Sequence, residues 1–332
     1  MKKVISITIC ISIILTLCSC SGGFKRFEKS YVDVFDTASN IVAYDISQKN
    51  FDERCDKLHK QLLRYNNLFD IYKSHKGVTS LKDVNDKAGK SPIKVDSDTI
   101  ELLKFGKEVY DLTDGAVNIC LGSVLQIWHK YREEGKRVPE LAELKKAAEH
   151  CDINDLVIDE KTQTVYFKDK EMKLDVGAIA KGWAAQKAKL YAMENLWDGA
   201  LINLGGNVTT YGTKPNNDMW NVQIENPDPK SDEPIKTLEV SGDSVVTSGD
   251  YQRYYEVDGK RYCHIISPDT LMPAESYSSV SVICNDSAIA DALSTALFIL
   301  PKDVGRKIAD KNLAKVVWVD KDYTNEFYPP ER

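Results

Sequence analysis

Lys173-Leu174-Asp175-Val176-Gly177-Ala178-Ile179-Ala180-Lys181-Gly182-Trp183-Ala184, with Leu201-Ile202-Asn203-Leu204-Gly205-Gly206-Asn207-Val208 a short distance on, is the stretch that decides the fold class. Its first part reads as a strand, a turn of small residues and the start of a helix that continues to about Glu194. Its second part reads as a hairpin whose paired glycines permit positive φ or a close backbone approach. A helix inserted among strands that turn straight back on themselves points to an α+β fold, not to regular βαβ alternation.

Outward from this stretch the same mixture continues. Short β runs are predicted at Leu156 to Ile158, Thr164 to Phe167, Met172 to Asp175, Trp220 to Ile224, Ser244 to Thr247 and Arg261 to Ile266. Upstream, Phe51, Cys55, Leu58, Leu62, Tyr65 and Phe69 recur at spacings of four and three, the apolar face of an amphipathic helix. A second helix is predicted from Ser97 or Asp98 to near Thr113-Asp114-Gly115, and Pro139-Glu140 opens a third. A further helix starts after Asp286 or Ser287 and runs to about Leu300. No repeat or second linker breaks the chain, so residues 31–332 are expected to form a single large mixed domain of short strands with several packed helices.

At the N-terminus, Met1-Lys2-Lys3 precedes an apolar run from Val4 to Leu17, the layout of a secretory signal. Leu17-Cys18-Ser19-Cys20 resembles a bacterial lipobox, with Cys20 as the lipid acceptor; an ordinary signal peptide is the alternative. The expectation is a signal peptide at 1–19, a tether at 20–30, and a protein exported and lipid-anchored to the bacterial inner membrane, facing the periplasm. Loss of Lys2 and Lys3 with the leader takes the formal net charge from −6 to −8, which disfavours nucleic acid as a partner and leaves attachment to the lipid. Cys55, Cys120, Cys151, Cys263 and Cys284 are scattered without C-x-x-C spacing, so no zinc site is legible.

Several groups have the residue types that chemistry needs. Asp291 and Thr295, four apart in a predicted helix, would project two hard oxygens from one face, as magnesium requires alongside waters and substrate phosphates. The same pair also suits a solvated first-turn acid and a threonine bonded back to a carbonyl. The turn before Ala180 offers a helix N-terminus and Lys181 to a phosphate, or is a plain tight turn. His264, on a predicted strand close to Thr247-Ser248-Gly249-Asp250-Tyr251, is a candidate proton acceptor or a structural histidine.

Taken in order, Asp175 to Gly182, Asn203 to Asn207, Thr247 to Tyr251, His264 to Pro268 and Ala290 to Ala296 match D-x-G-x-x-A-K-G, N-x-G-G-N, T-S-G-D-Y, H-I-I-x-P and A-D-A-x-x-T-A. The chain thereby resembles the FAD:protein FMN transferase (ApbE) family from about Phe35 to Val319. The resemblance implies a T-fold-like architecture and a flavin site in which Asp175, Lys181 and Ile266 contact FAD as substrate, with Phe35, Tyr72 and the turn Ala116-Val117-Asn118 as further walls. It implies Mg2+ held by Asp291, Thr295 and the carbonyl of Ala178, with Ser294 adjacent, and His264 as base beside Asp291. The implied reaction moves FMN from FAD to a Thr or Ser hydroxyl of an acceptor flavoprotein bearing a motif similar to D-x-x-[ST]-G-A-[ST], releasing AMP. A magnesium-dependent FAD pyrophosphatase and a non-catalytic flavin-binding lipoprotein are the alternatives. Three positions depart from the family pattern: Phe35-Asp36-Thr37 stands for M-G-T, Asn118 for the last residue of G-A-F-D, and Ser267 for the aspartate of H-I-I-D-P.

Overall fold

The computed structural model describes residues 23–330, so the signal peptide and Cys20 lie outside the described residues. The elements in chain order are strands β1 (Lys25–Val34) and β2 (Thr37–Asp45), helices α1 (Gln48–Phe69) and α2 (Leu81–Lys87), strand β3 (Ile93–Lys94), and helices α3 (Ser97–Leu112), α4 (Gly122–Glu134) and α5 (Leu141–Ala148). Then come β4 (Leu156–Asp159), β5 (Thr164–Phe167), α6 (Ala180–Glu194), β6 (Gly199–Leu204), β7 (Asn207–Gly212), β8 (Trp220–Ile224), β9 (Lys236–Val240), β10 (Ser244–Gly249), β11 (Tyr254–Val257) and β12 (Lys260–Cys263). The chain closes with β13 (Tyr277–Cys284), α7 (Ser287–Ile299), α8 (Lys302–Lys311), β14 (Lys315–Asp320) and β15 (Asn325–Tyr328). The expected α+β single domain is the one observed.

An eight-stranded sheet of order β1-β2-β6-β7-β10-β13-β14-β15 is the frame, antiparallel at every pairing. Strand side chains alternate between faces, and here both faces are covered. Ile41, Ile202, Val246, Val282 and Trp318 face the helical side. Their neighbours Val42, Leu201, Val245, Ile283 and Val317 face the β8–β9 hairpin and its Trp220. On the helical side Trp183 of α6 meets Tyr65 and Phe69 of α1 edge-on, with ring centroids 5.1 and 5.4 Å away. Such pairs contribute about 0.5–1.5 kcal/mol each beyond their buried area, and they set α6 against the sheet.

Three expectations need correction. Lys25 to Ser30, expected in the tether, belong to β1: Phe27 and Tyr31 turn inward, stacking on Phe51 at 5.6 Å and on His59 at 3.9 Å. Met172 to Asp175 has only a single parallel bridge, Lys173 to Leu121. In place of a partner strand, the buried Asn85 amide accepts from Leu174 N at 2.7 Å and donates to Leu174 O at 3.0 Å, because the chain must turn immediately into α6. The run from Arg261 stops as a strand at Cys263. The five cysteines Cys55, Cys120, Cys151, Cys263 and Cys284 are buried free thiols. Among the described residues no helix is long and apolar enough to cross a membrane.

Candidate active site

The site is built where the N-terminus of α6 meets the middle of α7. A helix start leaves backbone N–H groups without internal partners, and Ile179 in the capping position has no side-chain acceptor. The missing acceptor comes from α7: Asp291 Oδ2 accepts from Gly182 N at 2.7 Å. Gly182 permits this approach, since a Cβ there would lie 2.2 Å from Asp291 Cβ and 2.5 Å from Ser287 O. Asp291 is only 6% exposed. Burial pushes its carboxyl up to about 6, against the opposing pull of the Lys181 charge and the Gly182 N–H. The buried amide of Asn207, first residue of β7, lies near it without a formed hydrogen bond.

The solvated first-turn reading of Asp291 is thereby excluded. The side chain that caps α7 is Asp286, accepting from Ala288 N at 2.7 Å and Ile289 N at 3.1 Å. The hydroxyl bonded back to a carbonyl is that of Ser294, donating to Asp291 O at 2.9 Å; it also meets Ser248 Oγ at 2.8 Å and is fully buried. Ser294 is thus committed, whereas Thr295, half-buried, has only a 3.4 Å contact to Ser248 Oγ. Of the three α7 residues expected around a metal, Asp291 and Thr295 keep oxygen lone pairs to offer. Ala178 lies on the turn into α6, one helical turn ahead of Gly182.

His264 lies within electrostatic reach of Lys181. Its N–H donates to Arg253 O at 3.0 Å and its Nδ1 lies 3.2 Å from the same oxygen. A carbonyl only accepts, which assigns the imidazole proton to Nδ1 and leaves the Nε2 lone pair free. Burial first, then the charges of Arg253, Arg132 and Lys181, hold the imidazole down to about 4. It is neutral at physiological pH and competent to take a proton. Lys181 is itself lowered by burial, with Asp291 opposing. Asp175 is raised by burial although its Oδ1 accepts from Gly177 N at 2.8 Å.

The expected flavin walls divide into two kinds. Tyr72 is 53% exposed and held by an Asx turn in which Asp70 Oδ1 accepts from Tyr72 N at 2.7 Å and Lys73 N at 2.9 Å. Its ring leans on His129 at 5.0 Å, tilted by 37°. Ala116, Val117 and Ile266 are buried in the core, so only their backbone can face a ligand. Phe35 and Asp36 form a two-residue hairpin tip with φ of 55° and 50°, tied down by Phe35 N donating to Asn66 Oδ1 at 2.8 Å. Asn118 has a structural duty: its Nδ2 donates to Cys151 O at 2.9 Å and its Oδ1 accepts from Cys120 N at 2.8 Å. A carboxylate could not make the first of these bonds. Ser267 is buried with its Oγ 3.5 Å from Thr270 N.

Three contributors escaped the sequence reading. His129 and Arg132 come from α4, with Arg132 Nη2 2.8 Å from His129 Nδ1, and Arg253 precedes β11. The first two had a signal, since Val124, Trp128 and Tyr131 recur at helical spacing and are buried. Trp128 Nε1 donates to Leu271 O at 2.9 Å, joining α4 to the segment that follows His264.

A sequence model of the ApbE family matches residues 35–318. The FAD:protein FMN transferase of Klebsiella pneumoniae is 33% identical over 250 residues, 75% of this chain and 76% of that protein. The Treponema pallidum protein of the same name is 34% identical over 244 residues, 69% of this chain and 67% of the other. The ApbE protein from Thermotoga maritima superposes with a TM-score of 0.82 at 30% identity, covering 92% of this chain and 97% of that one. The flavin transferase ApbE from Vibrio cholerae shares the fold, with a TM-score of 0.76, 24% identity, and coverage of 92% and 97%.

Proposed function

The chain belongs to the ApbE family, and from that membership we propose that it is an FAD:protein FMN transferase, moving FMN from FAD to a Thr or Ser hydroxyl of an acceptor protein and releasing AMP. The observation that carries the reading is the junction itself: a desolvated Asp291 carboxylate on the α6 N-terminus, coupled to Lys181, whose charge also reaches a neutral His264. A carboxylate raised by burial and a histidine lowered by it are the opposed pair that acid–base and metal chemistry draws on.

The acceptor hydroxyl gives its proton to His264 Nε2 as its oxygen attacks the FMN phosphorus. The bond from that phosphorus to the AMP phosphate oxygen breaks, and AMP leaves with the electron pair. Lys181 at the start of α6 binds and orients the phosphates, while the half-exposed ring of Tyr72 stacks on the isoalloxazine ring. The donor set fits magnesium: one hard carboxylate, one weakly held hydroxyl and a backbone carbonyl from Asp291, Thr295 and Ala178. Among the described residues no three His, Cys, Asp or Glu side chains gather into a complete cage, in keeping with a metal that shares its coordination with substrate phosphates. When bound, magnesium supplies neutralisation of the charge on the phosphate oxygens. The acceptor is proposed to have a D-x-x-[ST]-G-A-[ST]-like motif. The anchor is proposed to be a lipid on Cys20, facing the periplasm from the inner membrane, which leaves only residues 21–24 between the lipidated residue and β1.

The deciding experiment is intact-mass analysis of a peptide bearing that motif after incubation with FAD, magnesium and the mature protein. A gain equal to an FMN phosphoester is the expected result; free FMN and AMP with an unmodified peptide would establish hydrolysis instead, and intact FAD a binder. A second expectation concerns pH. Asp291 in the metal-free protein must lose its proton to bind magnesium, so affinity should be level above about pH 6. Below that it should fall about tenfold per pH unit, with proton release on binding. Calorimetric magnesium titrations at pH 5 and pH 7.5 read both, and a pH-independent affinity would remove Asp291 from the ligand set.

A further inference from the structure

We propose that Arg253 is a phosphate-contacting residue of this reaction, its guanidinium receiving the diphosphate of FAD beside His264; the inference rests on the transferase reading and names a residue which that reading does not yet use. The placement is geometric. The Arg253 carbonyl holds both the N–H and Nδ1 of His264, at 3.0 and 3.2 Å, so residue 253 stands directly across the backbone from the base. The Arg253 charge acts on His264, Lys181, Asp175 and Tyr72, which come from separate segments of the chain and are thereby within electrostatic reach of one guanidinium.

Its side chain is exposed and makes no hydrogen bond or ion pair. Every other arginine among the described residues is engaged: Arg26, Arg54, Arg64, Arg261 and Arg306 with carboxylates, Arg132 with His129 and Arg137 with Glu134. The Arg253 and Lys181 charges act on each other, and an anion bound between them would relieve that repulsion. The planar fork of the guanidinium matches paired phosphate oxygens. Asp175, the carboxylate in the same field, is no substitute, since it lies outside ion-pair distance and its Oδ1 is bonded to Gly177 N.

The test compares binding of FAD and riboflavin, which share the ring and differ in the phosphates, to the mature wild-type protein and to Arg253→Gln by flavin fluorescence in the presence of magnesium. FAD affinity is expected to fall about tenfold to hundredfold, the range for losing charged hydrogen bonds, with riboflavin affinity unchanged. Arg253→Lys, which keeps the charge and the stem, should give an intermediate loss and serves if the glutamine variant does not fold. Unchanged FAD affinity, or equal losses for the two ligands, would overturn the assignment. Adduct formation by the wild-type protein is scored separately, so failure of the transferase reading and failure of this one give different results.

Discussion

An Asp291→Asn protein is expected to fold normally and to attach FMN to an acceptor peptide about 10²–10³-fold more slowly, the scale on which loss of one electrostatic stabiliser slows a reaction. The amide oxygen of asparagine can still accept the Gly182 N–H that Asp291 Oδ2 accepts at 2.7 Å, so the α6 cap survives while the charge needed for a divalent cation is gone. Because the native carboxylate is raised by burial, neutralising it also removes a desolvation cost, and the melting temperature should not fall. Asp291→Ala separates the two roles. It removes charge and cap together, leaving a buried N–H unsatisfied at a cost of about 1–3 kcal/mol. Thermal melts and intact mass on both variants read the result; an asparagine variant that transfers within a few-fold of the wild-type rate would show that the carboxylate is structural.

Gly182→Ala should damage stability and activity together. The new Cβ would lie 2.2 Å from Asp291 Cβ and 2.5 Å from the backbone oxygen of Ser287, and neither atom is the far end of a flexible side chain. Helices α6 and α7 must separate to admit it, at about 1–3 kcal/mol or more for overpacking in a close-packed interior. Their separation moves the carboxylate off the helix N-terminus, so transfer should fall with stability. Urea denaturation beside the peptide assay measures the two losses. A variant with native stability would mean that the helices already have slack there.

The Asn118 departure has an explanation that only the contacts supply. In the sequence it stands only as a carboxylate missing from the family pattern. In the structure its amide bridges Cys151 O and Cys120 N, and the position braces a turn with a donor that aspartate lacks.

What was legible in the residues is what local physics decides. The limits of α6 and α7, the apolar stripe of α1 and the glycine pair between β6 and β7 were all readable, because helix stops, periodicity and positive φ at Gly205 and Gly206 are properties of a few adjacent residues. Strand β13 was not: buried along its whole length, Tyr277–Cys284 has no polar-out, apolar-in burial pattern to announce it. The order of the eight-stranded sheet and the capping of Gly182 by a carboxylate 109 positions away depend equally on chain closure over long separations. Asp175, Lys181, His264 and Asp291 were named by motif, but their protonation was not in the motif. Burial and Coulomb fields depend on distance in space, and only the folded chain brings Arg253, Arg132 and Lys181 close enough to keep His264 neutral.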